Sequence, residues 1–159
     1  MRAGRQPARI VLIDDCILIC FDGSVEARRA IDAVAAIFPG ASAIVLDVAA
    51  TLDSDARYAS VAAAAMDFDE LNEEDARRHA REGAAYACRA GLRATPYGVL
   101  AADTWRGVVD VVEGVDAALI VVGSRGLSGV RVWVEGSLSH ELLRHVRRPL
   151  LVVPPPRDA

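Results

Sequence analysis

The chain has 159 residues and a formal net charge of −4, a length that fits one domain burying roughly 70% of the surface its unfolded form exposes. Over half of it is hydrophobic by a broad count, yet much of that is alanine, and no run approaches the ~20 continuous apolar residues that a bilayer span requires. All 18 residues of the Lys+Arg class are arginine, which excludes chemistry built on lysine: the P-loop, the protein kinase strand lysine and the pyridoxal Schiff base.

Residues 1–15 read as an N-terminal extension of unknown role. Their short apolar run is interrupted by Asp14 and Asp15 with no small-residue cleavage site after it, so no secretory signal is expected and a cytoplasmic location is. From residue 16 short β-rich runs alternate with helical patterns. CILICF (16–21) is the first predicted strand. Ser24 then stands as N-cap to EARRAIDAVAAIF, in which Ala27, Ile31, Val34 and Phe38 share a helical face, and Pro39–Gly40 ends it. SAIVLDV (42–48) is the second strand. The stretch from Thr51 to Asp69 has no clean period until its middle and reads as a variable, partly helical connection. A helix follows over about 70–90, stopped by Gly91, then a strand ATPYGVL (94–100) and a helix WRGVVDVVEGV after Thr104. ALIVV (118–122) is the fourth strand. The last helix is expected to begin at Ser137 and be ended by Pro149, before the strand LLVV (150–153) and a short tail, 156–159.

Strands that are apolar on successive residues and separated by helices predict an open α/β fold, a parallel sheet with helices on both faces. Ligands in such a sheet bind beyond the carboxyl ends of the strands, where the strand order reverses. Two loops compete for that place, FDGS (21–24) after the first strand and GSRG (123–126) after the fourth. Gly123 and Gly126 leave consecutive N–H groups bare to hold an anion, and Gly136 precedes Ser137 at a helix start, where unpaired N–H groups favour negative charge. Asp22 repels phosphate but can accept hydrogen bonds from a base or sugar. The residues alone leave two readings open: a phosphate cradle, or turn glycines with an N-cap serine.

Other chemistry finds less support. Mild acidity without clustered basic and aromatic residues argues against nucleic acid. Cys16, Cys20 and Cys88 contain no C-x-x-C pair and read as small apolar core residues in a reducing compartment. HELLRH places His140 and His145 five apart, too far around a helix to share a metal, so both read as surface histidines. No serine sits in a nucleophile motif.

The pattern G-x2-G-x9-G-S, filled by Gly123, Gly126, Gly136 and Ser137, together with FDGS, AIVLDV, ALIVVGSRGLSG and HVRRPLLVVP, resembles the universal stress protein family over nearly all of 16–154. The resemblance implies a Rossmann-like five-stranded sheet in the order 3-2-1-4-5 and a nucleotide-binding domain over 16–155. It further implies an ATP-binding member acting as a stress-response or regulatory module with little or no catalysis. Carried over by position, Asp22 and the backbone of Val48 hold adenine, Gly123 lies close to the ribose, and Gly126, Gly136, Ser137 and Leu138 line the triphosphate. Mg2+ is held through the phosphates, and Arg125 either adds charge in the loop or is solvated. A homodimer through Leu150–Val153 is also implied. Glu135 departs from the pattern, since the family usually has an aliphatic residue there and a carboxylate facing inward repels phosphate. Two alternatives stand beside this reading: a dimeric interaction protein of the same fold that binds no nucleotide, and a slow ATP hydrolase or autophosphorylating enzyme using Ser137 or Ser139.

Overall fold

The computed structural model describes residues 16–51, 59–124 and 138–155, the side chains of 59–68 excepted. Strands β1 (Ile17–Cys20), β2 (Ser42–Ala50), β3 (Arg93–Ala101), β4 (Leu119–Gly123) and β5 (Leu150–Val153) form one sheet. Every pairing is parallel and the order is β3-β2-β1-β4-β5, the order the resemblance implied. Helices α1 (Val25–Ile37), α2 (Ala59–Arg89), α3 (Thr104–Gly114) and α4 (Leu138–His145) connect or flank the strands. No helix among the described residues is long and apolar enough to cross a membrane.

Strand alternation sorts the core into two layers. Ile17, Ile19 and Phe21 of the first strand region, with Ala43 and Val45 of β2, pack against Ala27, Ala30, Ile31 and Val34 of α1 and Ala84 and Ala87 of α2. Leu18, Leu46 and Val48 point the other way, onto Val108, Val111 and Val112 of α3 and Leu142 of α4. Both faces of the central strand are therefore buried, which is why CILICF is apolar without interruption. Burial of this kind stabilises by about 25 cal/mol per Å² of apolar surface removed from water.

Local signals place the ends of the elements. The Ser24 Oγ accepts the Ala27 N–H at 3.1 Å, the expected N-cap of α1. The helix closes with the Phe38 N–H on the Val34 carbonyl, 2.8 Å, one residue before Pro39. Three boundaries differ from the sequence expectation. Helix α2 begins at Ala59 instead of about residue 70, because the alanine run at 62–65 has the highest helix propensity of any residue and no Gly or Pro interrupts it before Gly83. Strands β2 and β3 extend to Ala50 and Ala101, each holding the other in register, and the Thr51 N–H closes the ladder on the Ala101 carbonyl at 3.0 Å. Helix α4 ends at His145, four residues before Pro149, since proline disfavours helical geometry in the residue ahead of it and the chain needs that span to enter β5.

Candidate functional site

Strand β1 lies at the reversal of strand order, with β2 and β3 on one side and β4 and β5 on the other. Ligands in open α/β sheets occupy the crevice beyond the carboxyl ends of such strands. Ile19 pairs with Val121 and Cys20 with Leu46, so Asp22, Val48 and Gly123 all stand at that one end. The sequence expectation that the FDGS and GSRG loops share a crevice is met as far as Ser124. Arg125, Gly126, Gly136 and Ser137 lie outside the described residues, as does Glu135.

Asp22 has a structural task. Its Oδ1 accepts the Ser24 N–H at 2.9 Å, closing a turn through Gly23, whose φ of +80° is a conformation that glycine adopts without strain. That turn aims α1 into place and holds the carboxylate at the mouth of the crevice. Val48 is buried and packs toward α3, and one of its side-chain carbons would lie 2.6 Å from a Cβ on Gly107, so only its backbone is available to a ligand. In a parallel ladder alternate residues aim both peptide groups at the same neighbour. Ala41 and Thr51 bond to β3, so Val48 aims the opposite way, toward the gap where β1 has ended. Its N–H lies by the Asp47 carboxylate and steadies the ionised form, leaving the carbonyl as an acceptor.

Gly123 is needed by the fold itself. A Cβ there would sit 2.9 Å from both the carbonyl carbon and oxygen of Glu26, so the missing side chain lets β4 approach the first turn of α1. Leu138, the first residue of α4, is half-buried against the α3-side core. Helix α4 packs against α3 and β5, and because β5 after it runs parallel to β4 its first turn lies toward the carboxyl end of the sheet, the end at which a helix dipole favours an anion.

Two neighbours, Asp47 and His79, escaped the sequence reading, and two others, Cys20 and Ser124, were read there without the surroundings they have. Asp47 interrupts the apolar AIVLDV strand, and that single polar residue in a buried run was the available signal. Its Oδ2 meets Nδ1 of His79, on α2, at 2.9 Å. Burial pushes the Asp47 carboxyl above its ordinary value, and the bond and charge of His79 only partly offset this. Cys20 lies beside the same carboxylates, and burial first, then the charges of Asp22 and Asp47, push its thiol up to about 12. The Ser124 Oγ is buried without a hydrogen-bond partner among the described residues, while its N–H donates to the Val153 carbonyl at 2.8 Å. A buried hydroxyl left unpaired costs about 1–3 kcal/mol. The β1–β2 end is thus rich in acceptors and negative charge, suited to a donor-bearing heterocycle, while the α4 end suits an anion.

The other singled-out residues divide. Cys88 is exposed, against the expectation of a core residue, Cys16 is half-buried, and Cys20 packs against the α3-side core as expected. His140 and His145 are exposed, but His145 does more than meet solvent: its ring stacks on Trp105 with centroids 4.1 Å apart, and its Nδ1 donates to the Glu141 carbonyl at 2.8 Å. Among the described residues no three His, Cys, Asp or Glu side chains gather in a way that could hold a metal ion.

The family model of the universal stress protein family matches residues 15–154. The chain belongs to the universal stress protein family. Solved members and neighbours share its fold. The hypothetical protein MJ0577 superposes with a TM-score of 0.74 at 20% identity, covering 91% of this chain and 98% of its own. A universal stress protein family protein from Arabidopsis thaliana with AMP bound gives 0.61 at 17%, covering 91% and 93%. The universal stress protein from Archaeoglobus fulgidus in complex with dAMP gives 0.59 at 17%, covering 87% and 96%. At such identities the likeness concerns the fold. No curated protein matches the sequence.

Proposed function

We propose that this universal stress protein binds ATP in the crevice beyond β1, β2 and β4 and works as a stress-response or regulatory module with little or no catalysis. The observation that carries the reading is the polarity of the crevice: carboxylates and a backbone acceptor at the β1–β2 end, and the first turn of α4 at the other. A nucleotide has the matching asymmetry, with an amine-bearing base at one end and phosphates at the other. AMP and dAMP complexes of family members of the same fold support it. In this reading Asp22 and the Val48 backbone meet adenine, and Gly123 borders the ribose. Gly126, Gly136, Ser137 and Leu138, with Arg125 nearby, surround the phosphates, which in turn hold Mg2+.

The binding unit spans 16–155 and leaves 1–15 and 156–159 outside it. Assembly is proposed through β5. Among the described residues this strand pairs only with β4. Because the Pro149 and Val153 carbonyls face β4, alternation turns the peptide groups of Leu150 and Val152 outward. An apolar edge of this kind is rarely left bare, and a twofold copy of β5 satisfies it. The test of the binding reading is mass analysis of small molecules released when the purified protein is denatured. An adenine nucleotide at a substantial fraction of one per chain supports it. Nucleotide-free protein that also fails to take up added ATP is the outcome of a same-fold interaction protein.

A further inference from the structure

We infer that His79, held by Asp47, reads the base of the bound nucleotide from the α2 side of the crevice, as an acceptor for its exocyclic amine. This inference rests on the nucleotide reading above and adds to it a residue from the long helix α2. Asp47 is the residue before Val48 and its carboxylate points to the α2 layer, where it meets His79. An ionised carboxylate only accepts, so the nitrogen facing it, Nδ1, carries the proton. Whenever the ring is neutral, Nε2 is the lone-pair acceptor, and among the described residues it has no hydrogen-bond partner. The Cδ2 atom, bonded to Nε2, is 4.0 Å from where a Cβ on Gly23 would stand. That edge of the imidazole therefore borders the Asp22–Ser24 turn. The His79 side chain retains 35% of its exposure and Asp47 only 13%, so the carboxylate is the fixed anchor and the ring is the reachable group.

The ligand class follows from the donors and acceptors. Asp22, the Val48 carbonyl and His79 Nε2 are all acceptors at one end, and a base presenting an exocyclic amine complements two of them, His79 Nε2 taking one of its two N–H groups. A base that presents a carbonyl at the same place leaves them unpaired, which is the strongest form of discrimination a polar pocket has. Adenine fits this description and hypoxanthine does not.

The closing experiment measures AMP, inosine monophosphate and inorganic tripolyphosphate by calorimetry on the wild type, on His79→Asn and on His79→Gln. An Asn amide places its N–H where Nδ1 was and keeps the bond to Asp47, but has nothing at Nε2. A Gln amide reaches the Nε2 position and forfeits the Asp47 bond. The expected result is that His79→Asn binds AMP about tenfold more weakly, loses the preference for AMP over inosine monophosphate, and keeps tripolyphosphate affinity. His79→Gln should retain more of the AMP affinity than His79→Asn. AMP affinity of His79→Asn within about twofold of wild type makes the His79–Asp47 pair purely structural and overturns the inference while the nucleotide reading stands. A wild type that binds no AMP overturns both. The imidazole 15N resonance of His79 in the wild type supplies a readout independent of variant folding: AMP must shift Nε2, and an unmoved signal at saturating AMP overturns the inference.

Discussion

Asp22 carries two burdens that one substitution separates. Its Oδ1 holds the Ser24 N–H, so Asp22→Ala forfeits a turn bond worth about 0.5–1.5 kcal/mol, visible in urea denaturation of the free protein. If the same carboxylate reads adenine, the variant also binds ATP more weakly while its affinity for tripolyphosphate holds; equal losses for both ligands remove the base-reading role. Asp47 gives a pH prediction. Its folded carboxyl holds a proton to higher pH than the ordinary value of 3.8, so between the two values the folded state binds more protons than the unfolded chain. Stability attributable to this group therefore falls as pH rises through that window. Asp47→Asn retains an acceptor for His79 and removes the buried charge. Its stability curve should be flatter above pH 4 or so and no lower than wild type at neutral pH. A clear loss at pH 7 means the hydrogen bond to His79 outweighs the desolvation. The Asp22 turn bond, although local, was passed over for a ligand role, but the Ser24 cap was legible beforehand because it acts on a residue three positions away. Asp47 and His79 were not, since their contact joins positions 32 apart and no local pattern encodes it.

Elements were read from periodicity, and the strands came out nearly whole because burial on both faces leaves a strong, continuous apolar signal. Helix α2 was read short. Its first turns carry alanines whose helical preference has no period, and hydrophobic spacing was the criterion applied. Helix α4 hides another long-range contact: the stacking of His145 on Trp105 ties it to α3, and the Glu141 carbonyl and carboxylate, the latter at 3.7 Å, fix the ring. The pair should show a coupling of about 0.5–1.5 kcal/mol in a double-mutant cycle of Trp105→Ala and His145→Ala. Strict additivity of the two losses in chemical denaturation would reduce His145 to the plain surface residue its exposure suggested.

The whole molecule is a sheet whose two edges differ. Strand β3 is overlaid by α2 and carries Pro96, which donates no hydrogen bond, whereas β5 is short, apolar and, among the described residues, paired on one side only. Assembly is therefore predicted at β5. Sedimentation at micromolar concentration should give the mass of two chains, and Val152→Pro, by removing an outward N–H, should give one. A wild-type monomer contradicts this. At the same scale, α4 and the end of β4 put an anion-suited end opposite the acceptor-rich end of β1 and β2, and ATP binding is the claim that unites them. Calorimetric titration of ATP with Mg2+ into the wild-type protein tests it most directly. The account predicts saturable binding at one site per chain, competed by AMP, whereas the absence of saturable binding in folded protein free of prior nucleotide would contradict it.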